Sequence, residues 1–364
     1  MNRAFSIYLD VVRFAAAFLV YVFHSNQRWL VHDVLPLSSY GHSSVIVFFV
    51  LSGFVIAYIS DTKERDWVSY TASRASRMYS VAVPALVLTL ILDSVGRQLS
   101  PDLYAYPYDH FVLRSISSLL MLNEWWFVSI TAFSNVPYWS IGYEVWYYVA
   151  FGVVTFLPAR WRWWAVSALA FALGPKVLLL APIWMSGVLL YRWKLLQQLS
   201  LSVAWVMLAV SVIGVLAFHW FDFEGVVTKQ FKSLIGPTWH TQFTFSKFFI
   251  SDYLLATLVF MNFAAMRRVA ATTSSLWLWI ERPVRYAAGF TLTLYLLHQP
   301  LFLFWAAVLR GDPGGPGYWL ATTALTLLSV LLVAHFTESR RHLLRAWLQD
   351  RLHAVDRFKL RGAT

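Results

Sequence analysis

Apolar runs long enough to cross about 30 Å of hydrocarbon recur near residues 8–30, 43–61, 78–95, 138–157, 163–180, 200–219, 248–266, 287–308 and 317–336. A shorter run at 181–193 makes a tenth. Polar breaks separate the runs, so the pattern predicts an all-α fold, a polytopic membrane helical bundle of about ten transmembrane helices. The first run contains Asp10 and Arg13 and no small-residue cleavage site follows it, so it reads as a retained anchor. Segment 111–131 is awkward. Counted as a full crossing it would invert every later loop, and it therefore reads as interfacial or re-entrant.

Lysine and arginine in short loops collect on the cytoplasmic side. Lys63, Arg65, Arg74 and Arg77 lie between the second and third runs, Arg160 and Arg162 after the fourth, Arg192 and Lys194 after the sixth, and Arg267 and Arg268 after the eighth. The segment after Glu338 is basic as well (Arg340, Arg341, Arg345, Arg351, Arg357, Lys359, Arg361). Ten crossings with both termini cytoplasmic put every one of these groups inside. Residues 96–137 and 220–247 are then the large outward loops. The domain reading is an integral-membrane domain over 1–336 and a basic cytoplasmic tail over 337–364, too small to build its own core.

Composition agrees, since 59% hydrophobic and 13% charged residues leave too little polar surface for a soluble globule. The net charge of +11 follows from the topology and calls for no nucleic acid. There is no cysteine, which excludes disulfides, thiolate nucleophiles and palmitoylation. No zinc-ligand spacing and no phosphate-binding glycine loop occurs, so neither a metal nor a nucleotide-hydrolysing engine is expected. Chemistry, if present, has to sit among the helices.

Several polar groups stand where lipid solubility asks for none. Arg13 and His24 are eleven positions apart in the first run; at about 100° and 1.5 Å per residue they share one helix face, about 16 Å apart. A charge near the bilayer centre costs roughly 2.5–3.5 kcal/mol and so tends to mark a pathway or reaction site; snorkelling of Arg13 and a satisfied interhelical His24 are the structural alternative. In GHSSVIVFFVLSGF, Ser52 and Gly53 interrupt the second run, which helix packing explains. Arg74 and Arg77 share a face at the cytoplasmic boundary, suited to anchoring or to phosphates. Glu144 lies in the aromatic stretch PYWSIGYEVWYY, one turn after Trp139 and Ser140, as a buried ion pair or a proton acceptor. His298 precedes Pro300, which frees a backbone carbonyl that His298 could simply satisfy.

In this order the motifs resemble one family, the integral-membrane acyltransferases called acyltransferase family three. The resemblance spans residues 5–340 and rests on Arg13 with ten residues before His24, the VFFVLSGF run, Arg74-x-x-Arg77, WSIGYE ending at Glu144, and YLLHQP. Two positions depart from the pattern. Ser43, Ser44 and Val45 stand where the family commonly shows Gly-Val-Asp, and Val145 stands where a second acidic residue is often seen. No esterase-like domain follows, so acyl transfer is expected to be completed within the membrane domain.

The resemblance implies a membrane-bound O-acyltransferase of the bacterial inner membrane, moving acetyl or another small acyl group from cytoplasmic acetyl-coenzyme A to a hydroxyl of a polysaccharide or lipid-linked saccharide, with no metal. His24 is the expected base or acyl carrier and Glu144 its orienting carboxylate. Arg13 would bind a donor phosphate or carbonyl, and Arg74 with Arg77 the phosphates of coenzyme A. His298 and Tyr295 are expected at the acceptor hydroxyl or the oxyanion, with Ser140 and Trp139 beside the substrate. Trp125, Trp126, Tyr138, Trp220 and Trp239 suit carbohydrate stacking or, more simply, an interfacial belt. A proton-coupled transporter or flippase using Arg13, His24, Glu144 and His298 as a relay is the alternative. Direct transfer and an acyl-histidine intermediate both remain open.

Overall fold

The computed structural model describes residues 1–26 and 37–361, with Ser38 and 355–361 described by backbone alone. The end of the first predicted span (27–30) and the tail side chains of Arg357, Lys359 and Arg361 lie outside the described residues. The chain is an all-α membrane bundle. Its helices are α1 (Arg3–Asn26), α2 (Gly41–Thr62), α3 (Trp67–Leu99), α4 (Phe111–Leu119), α5 (Tyr138–Phe156), α6 (Ala159–Leu173), α7 (Pro175–Arg192) and α8 (Leu201–Trp220). They continue with α9 (Phe223–Ile235), α10 (Pro237–Gln242), α11 (Phe249–Thr272), α12 (Ser274–Trp279), α13 (Glu281–Ala288), α14 (Thr291–Leu309), α15 (Pro316–Phe336) and α16 (Arg341–Arg361). The sheet among the described residues is one hairpin, β1 (Glu124–Trp125) and β2 (Val128–Ser129).

Among the described residues seven helical stretches are long and apolar enough to cross a membrane: α1, α2, α3, α8, α11, α14 and α15, the last continuing into the tail. The other three expected spans coincide with α5, α6 and α7. At 15 residues α6 is about 22 Å long, which explains why it falls short of a full span. The boundary between α6 and α7 is at Gly174 and Pro175 and not at 181. Gly174 takes φ +80, a conformation open to glycine, and Pro175 suits a first helical turn, whereas Pro182 is accommodated inside α7. Segment 111–131 contains the nine-residue α4 and the hairpin. At about 14 Å, α4 is too short to cross, and it leaves Val112, Leu113 and Ile116 exposed, as an interfacial helix does.

The third span begins earlier than its apolar run. Asp66 caps α3, its carboxylate accepting from the Ser69 N–H at 2.8 Å, so the polar sequence SRASRMY is already helical. Further along, Val83, Val87, Ile91 and Val95 are exposed at four-residue spacing, a stripe that faces lipid. The opposite face packs on α14, and near its start on α16. The core is centred on α2, which packs closely along α7. Added to Gly53, a Cβ would lie 2.0 Å from the Trp184 carbonyl; added to Gly187, 2.0 Å from that of Val50. Backbone-to-backbone approach through these two glycines accounts for Gly53 as helix packing.

Candidate active site

A cavity of about 400 Å³ opens among α1, α2, α3, α5, α13, α14 and the start of α16. Its wall carries five arginines, Arg13, Arg74, Arg77, Arg285 and Arg341, against three carboxylates, Asp10, Glu144 and Glu338. Counting Glu64, which pairs with Arg74 from behind the wall, the balance is five to four, a small surplus of positive charge inside a bundle that favours an anion. The arginines are held in place by the chain's own carboxylates. Arg13 donates to Asp10 at 2.5 Å, and Arg285 donates to the other oxygen of Asp10. Arg74 donates to the buried Glu64 at 2.9 Å. Arg77 stands within electrostatic reach of Glu144 and Glu338.

The carboxylate of Glu144 is fixed by hydroxyls. Ser52 and Tyr148 both donate to its Oε1, and Ser52 in turn accepts from the Trp184 indole at 3.1 Å. The Ser52-Gly53 pair thus has two roles, with Gly53 setting helix approach and Ser52 facing the cavity. The histidine that Glu144 was expected to orient is elsewhere. Neither His24 nor His298 lines this cavity; the His24 ring packs against those of His298 and Phe23, each 5.1 Å between centroids.

Tyr295 connects the two regions. Its hydroxyl is 2.6 Å from that of Ser140, both line the cavity, and its ring lies 6.2 Å from the ring of His298. His298 is fully buried, with Nδ1 2.8 Å from the Tyr295 carbonyl and 3.1 Å from that of Leu294. Carbonyls only accept, so Nδ1 carries the proton and the lone pair of a neutral ring falls on Nε2. That Nε2 is buried without a hydrogen-bond partner among the described residues. Pro300 frees the carbonyl of Leu296, and Asn135 Nδ2 donates to it at 2.7 Å. His298 is therefore not required for that carbonyl.

The cavity thus brings together Arg13, Arg74, Arg77, Ser140, Glu144 and Tyr295, and the neighbouring pair brings together His24 and His298. Trp139 lies outside both, stacked on Phe245 at 4.4 Å in the aromatic core. Tyr138 is also fully buried, whereas Trp125, Trp126, Trp220 and Trp239 are exposed. Sequence reasoning missed Asp10, Ser52, Tyr148, Arg285, Glu338 and Arg341. Asp10 had a signal, three residues before Arg13 on the same face; the tail residues had none, because only the fold returns them to α3 and α14.

Residues 6–335 match the family described as an acyltransferase domain. The chain is 28% identical over 177 residues to acyltransferase MdmB of Streptomyces mycarofaciens, covering 45% of this chain and 44% of that protein. It is 31% identical over 159 residues to exopolysaccharide production protein ExoZ of Rhizobium meliloti (strain 1021), covering 42% and 44%. The chain thus aligns with less than half the length of these curated relatives. No solved structure matches it.

Proposed function

The chain belongs to the acyltransferase-domain family, and from that premise we propose a membrane-bound O-acyltransferase that moves acetyl, or another small acyl group, from acyl-coenzyme A to a hydroxyl of a polysaccharide or lipid-linked saccharide in a bacterial inner membrane. The observation that carries this reading is the five-arginine cavity backed by a histidine pair, the half-buried His24 against the buried His298. Coenzyme A offers a phosphate-rich anion to the first, and acyl transfer to an alcohol needs a base of the second kind.

Arg74, Arg77 and Arg341 hold the donor phosphates, and Arg13, braced by Asp10, holds the donor nearer the thioester. Glu144 acts on the donor side, fixing Tyr148 and balancing Arg77. In direct transfer the saccharide oxygen attacks the thioester carbon as its proton passes to His24. The Tyr295 hydroxyl, paired with Ser140, stabilises the oxyanion. Collapse breaks the carbon–sulfur bond, and the departing coenzyme A thiolate takes the proton from the imidazolium. His298, its ring packed 5.1 Å from that of His24, positions His24, with the lone pair on Nε2 free to accept once His24 turns its N–H toward it.

Purified protein incubated with radiolabelled acetyl-coenzyme A and candidate glycans tests the reading. Label transfer that is lost in His24→Ala, with Arg77→Ala raising the KM for the donor, is the expected result. Absence of coenzyme A binding in the wild type overturns it.

A further inference from the structure

A second cluster of ionisable side chains lies away from the cavity, where α2 begins beside α9 and α11. His42 Nε2 is 2.9 Å from Asp252 Oδ1 and 4.0 Å from Glu224 Oε2. One donor atom from each residue falls within 4.8 Å of the others. We propose that His42, Glu224 and Asp252 form a divalent-metal site, best matched to zinc, that braces the start of α2 against α9 and α11. The proposal stands apart from the acyl-transfer reading and does not depend on it.

The burial of Asp252 carries the argument. It has no solvent exposure, Oδ1 meets His42, and Oδ2 of the same carboxylate has no hydrogen-bond partner among the described residues. An unpaired carboxylate oxygen in a bundle interior is costly, and an imidazole hydrogen bond on its neighbour leaves it unanswered. A cation bound between the three side chains answers it when both oxygens of the Asp252 carboxylate reach the metal. Donors at about 2.0–2.2 Å from a tetrahedral zinc are about 3.4 Å apart, and the observed 2.9 and 4.0 Å bracket that spacing. One imidazole with two carboxylates suits zinc, whereas magnesium favours oxygen donors and retained water. Positions 42, 224 and 252 are too scattered for ligand spacing to be visible in the sequence, which led to the expectation of no metal.

The site lies close to the candidate catalytic pair. Gly41, just before His42, is packed so tightly on Phe23 that an added Cβ would meet its ring at 2.2 Å, and Phe23 precedes His24. A metal at His42 therefore steadies the end of α2 against which the His24 turn rests. Lys247 acts electrostatically on both His42 and Glu224 and competes with a bound cation.

The test uses the full chain in detergent, stripped with a chelator and titrated with zinc against a fluorescent indicator, with melting temperature read in parallel. One zinc per chain is expected, with a melting temperature that rises with zinc and not with equal magnesium. Loss of a ligand in His42→Ala or Glu224→Gln is expected to weaken binding by more than the roughly 10–100-fold that loss of a partner behind a ligand costs, and Lys247→Gln to tighten it. Glu224→Gln leaves the His42–Asp252 hydrogen bond intact, so a folding defect does not obscure the answer. Wild-type zinc binding no tighter than that of either ligand variant overturns the proposal.

Discussion

At the scale of single residues, His298 and Pro300 show how a proline is accommodated inside a buried helix. The carbonyl freed by Pro300 is taken by Asn135, while the Tyr295 and Leu294 carbonyls fix the tautomer of the imidazole and leave Nε2 without a partner among the described residues. Asn135→Ala is expected to destabilise by about 1–3 kcal/mol, the cost of a buried carbonyl without a donor. Adding Pro300→Ala supplies a backbone N–H for the same carbonyl and is expected to recover much of that loss. Thermal unfolding of the double-mutant cycle in detergent measures the coupling, and additive losses would show that Asn135 acts otherwise. For the chemistry, His24→Ala and His298→Ala are each expected to lower kcat by about 10²–10⁴-fold with the donor KM little changed. Initial rates at varied acyl-coenzyme A separate this from Arg77→Ala, which is expected to raise KM. A loss in His298→Ala confined to KM removes the positioning role.

Elements are held together by close approach and by caps. Gly53 and Gly187 bring α2 and α7 backbone to backbone, so Gly187→Ala is expected to cost about 1–3 kcal/mol by overpacking, read as a lower midpoint of unfolding. Asp66 caps α3 from outside the membrane-spanning segments, and hydrogen bonds from Ser69 hold its carboxyl below the usual carboxylate range. A depressed folded pKa means that the cap's contribution is fully present above the unfolded value of about 3.9 and is lost as pH falls through the folded one. Asp66→Ala is expected to cost about 0.5–2 kcal/mol at neutral pH, a difference that shrinks on acidification. Hydropathy made the helices themselves legible, because a run of apolar residues has no other stable form in lipid. It misplaced two boundaries. The start of α3 was hidden because its first turns carry the arginines of the cavity, and the α6–α7 break because Gly174-Pro175 lies inside an apolar run. Arg13, Arg74, Arg77, Glu144 and His298 could be singled out because a polar group in a membrane span is conspicuous. Asp10 could have been, from its place one turn before Arg13, whereas Arg285 and Arg341 could not, since a charge near a helix end is ordinary until the fold shows what it faces.

Over the whole molecule, long-range polar contacts decide how separate parts of the chain share one site. On one side, the fully buried Lys176 of α7 donates to Glu124 and to the Val128 carbonyl, clamping the hairpin to the bundle. At the cavity, Glu338 performs the comparable task. It lies just past α15, yet its Oε2 accepts from the Thr293 N–H at 3.0 Å and hydroxyl at 2.9 Å in the first turn of α14, the helix that carries Tyr295 and His298. No side chain of the preceding residue caps α14, so the tail supplies the anion that the helix N-terminus favours. Glu338, Ser339 and Arg341 thereby line the cavity while belonging to the tail expected from 337 onward. Two changes separate the contributions. Glu338→Ala leaves the Thr293 N–H buried without its acceptor and is expected to lower stability by about 1–3 kcal/mol. It also removes one of three carboxylates from the cavity, so the donor KM is expected to fall or hold. Arg341→Ala leaves the cap untouched and removes one of five arginines, so it is expected to raise the donor KM with little change in the unfolding midpoint. Measuring both quantities on both variants distinguishes a tail that caps α14 and lines the donor cavity from one that merely lies against α3; in the latter case the two substitutions would move neither.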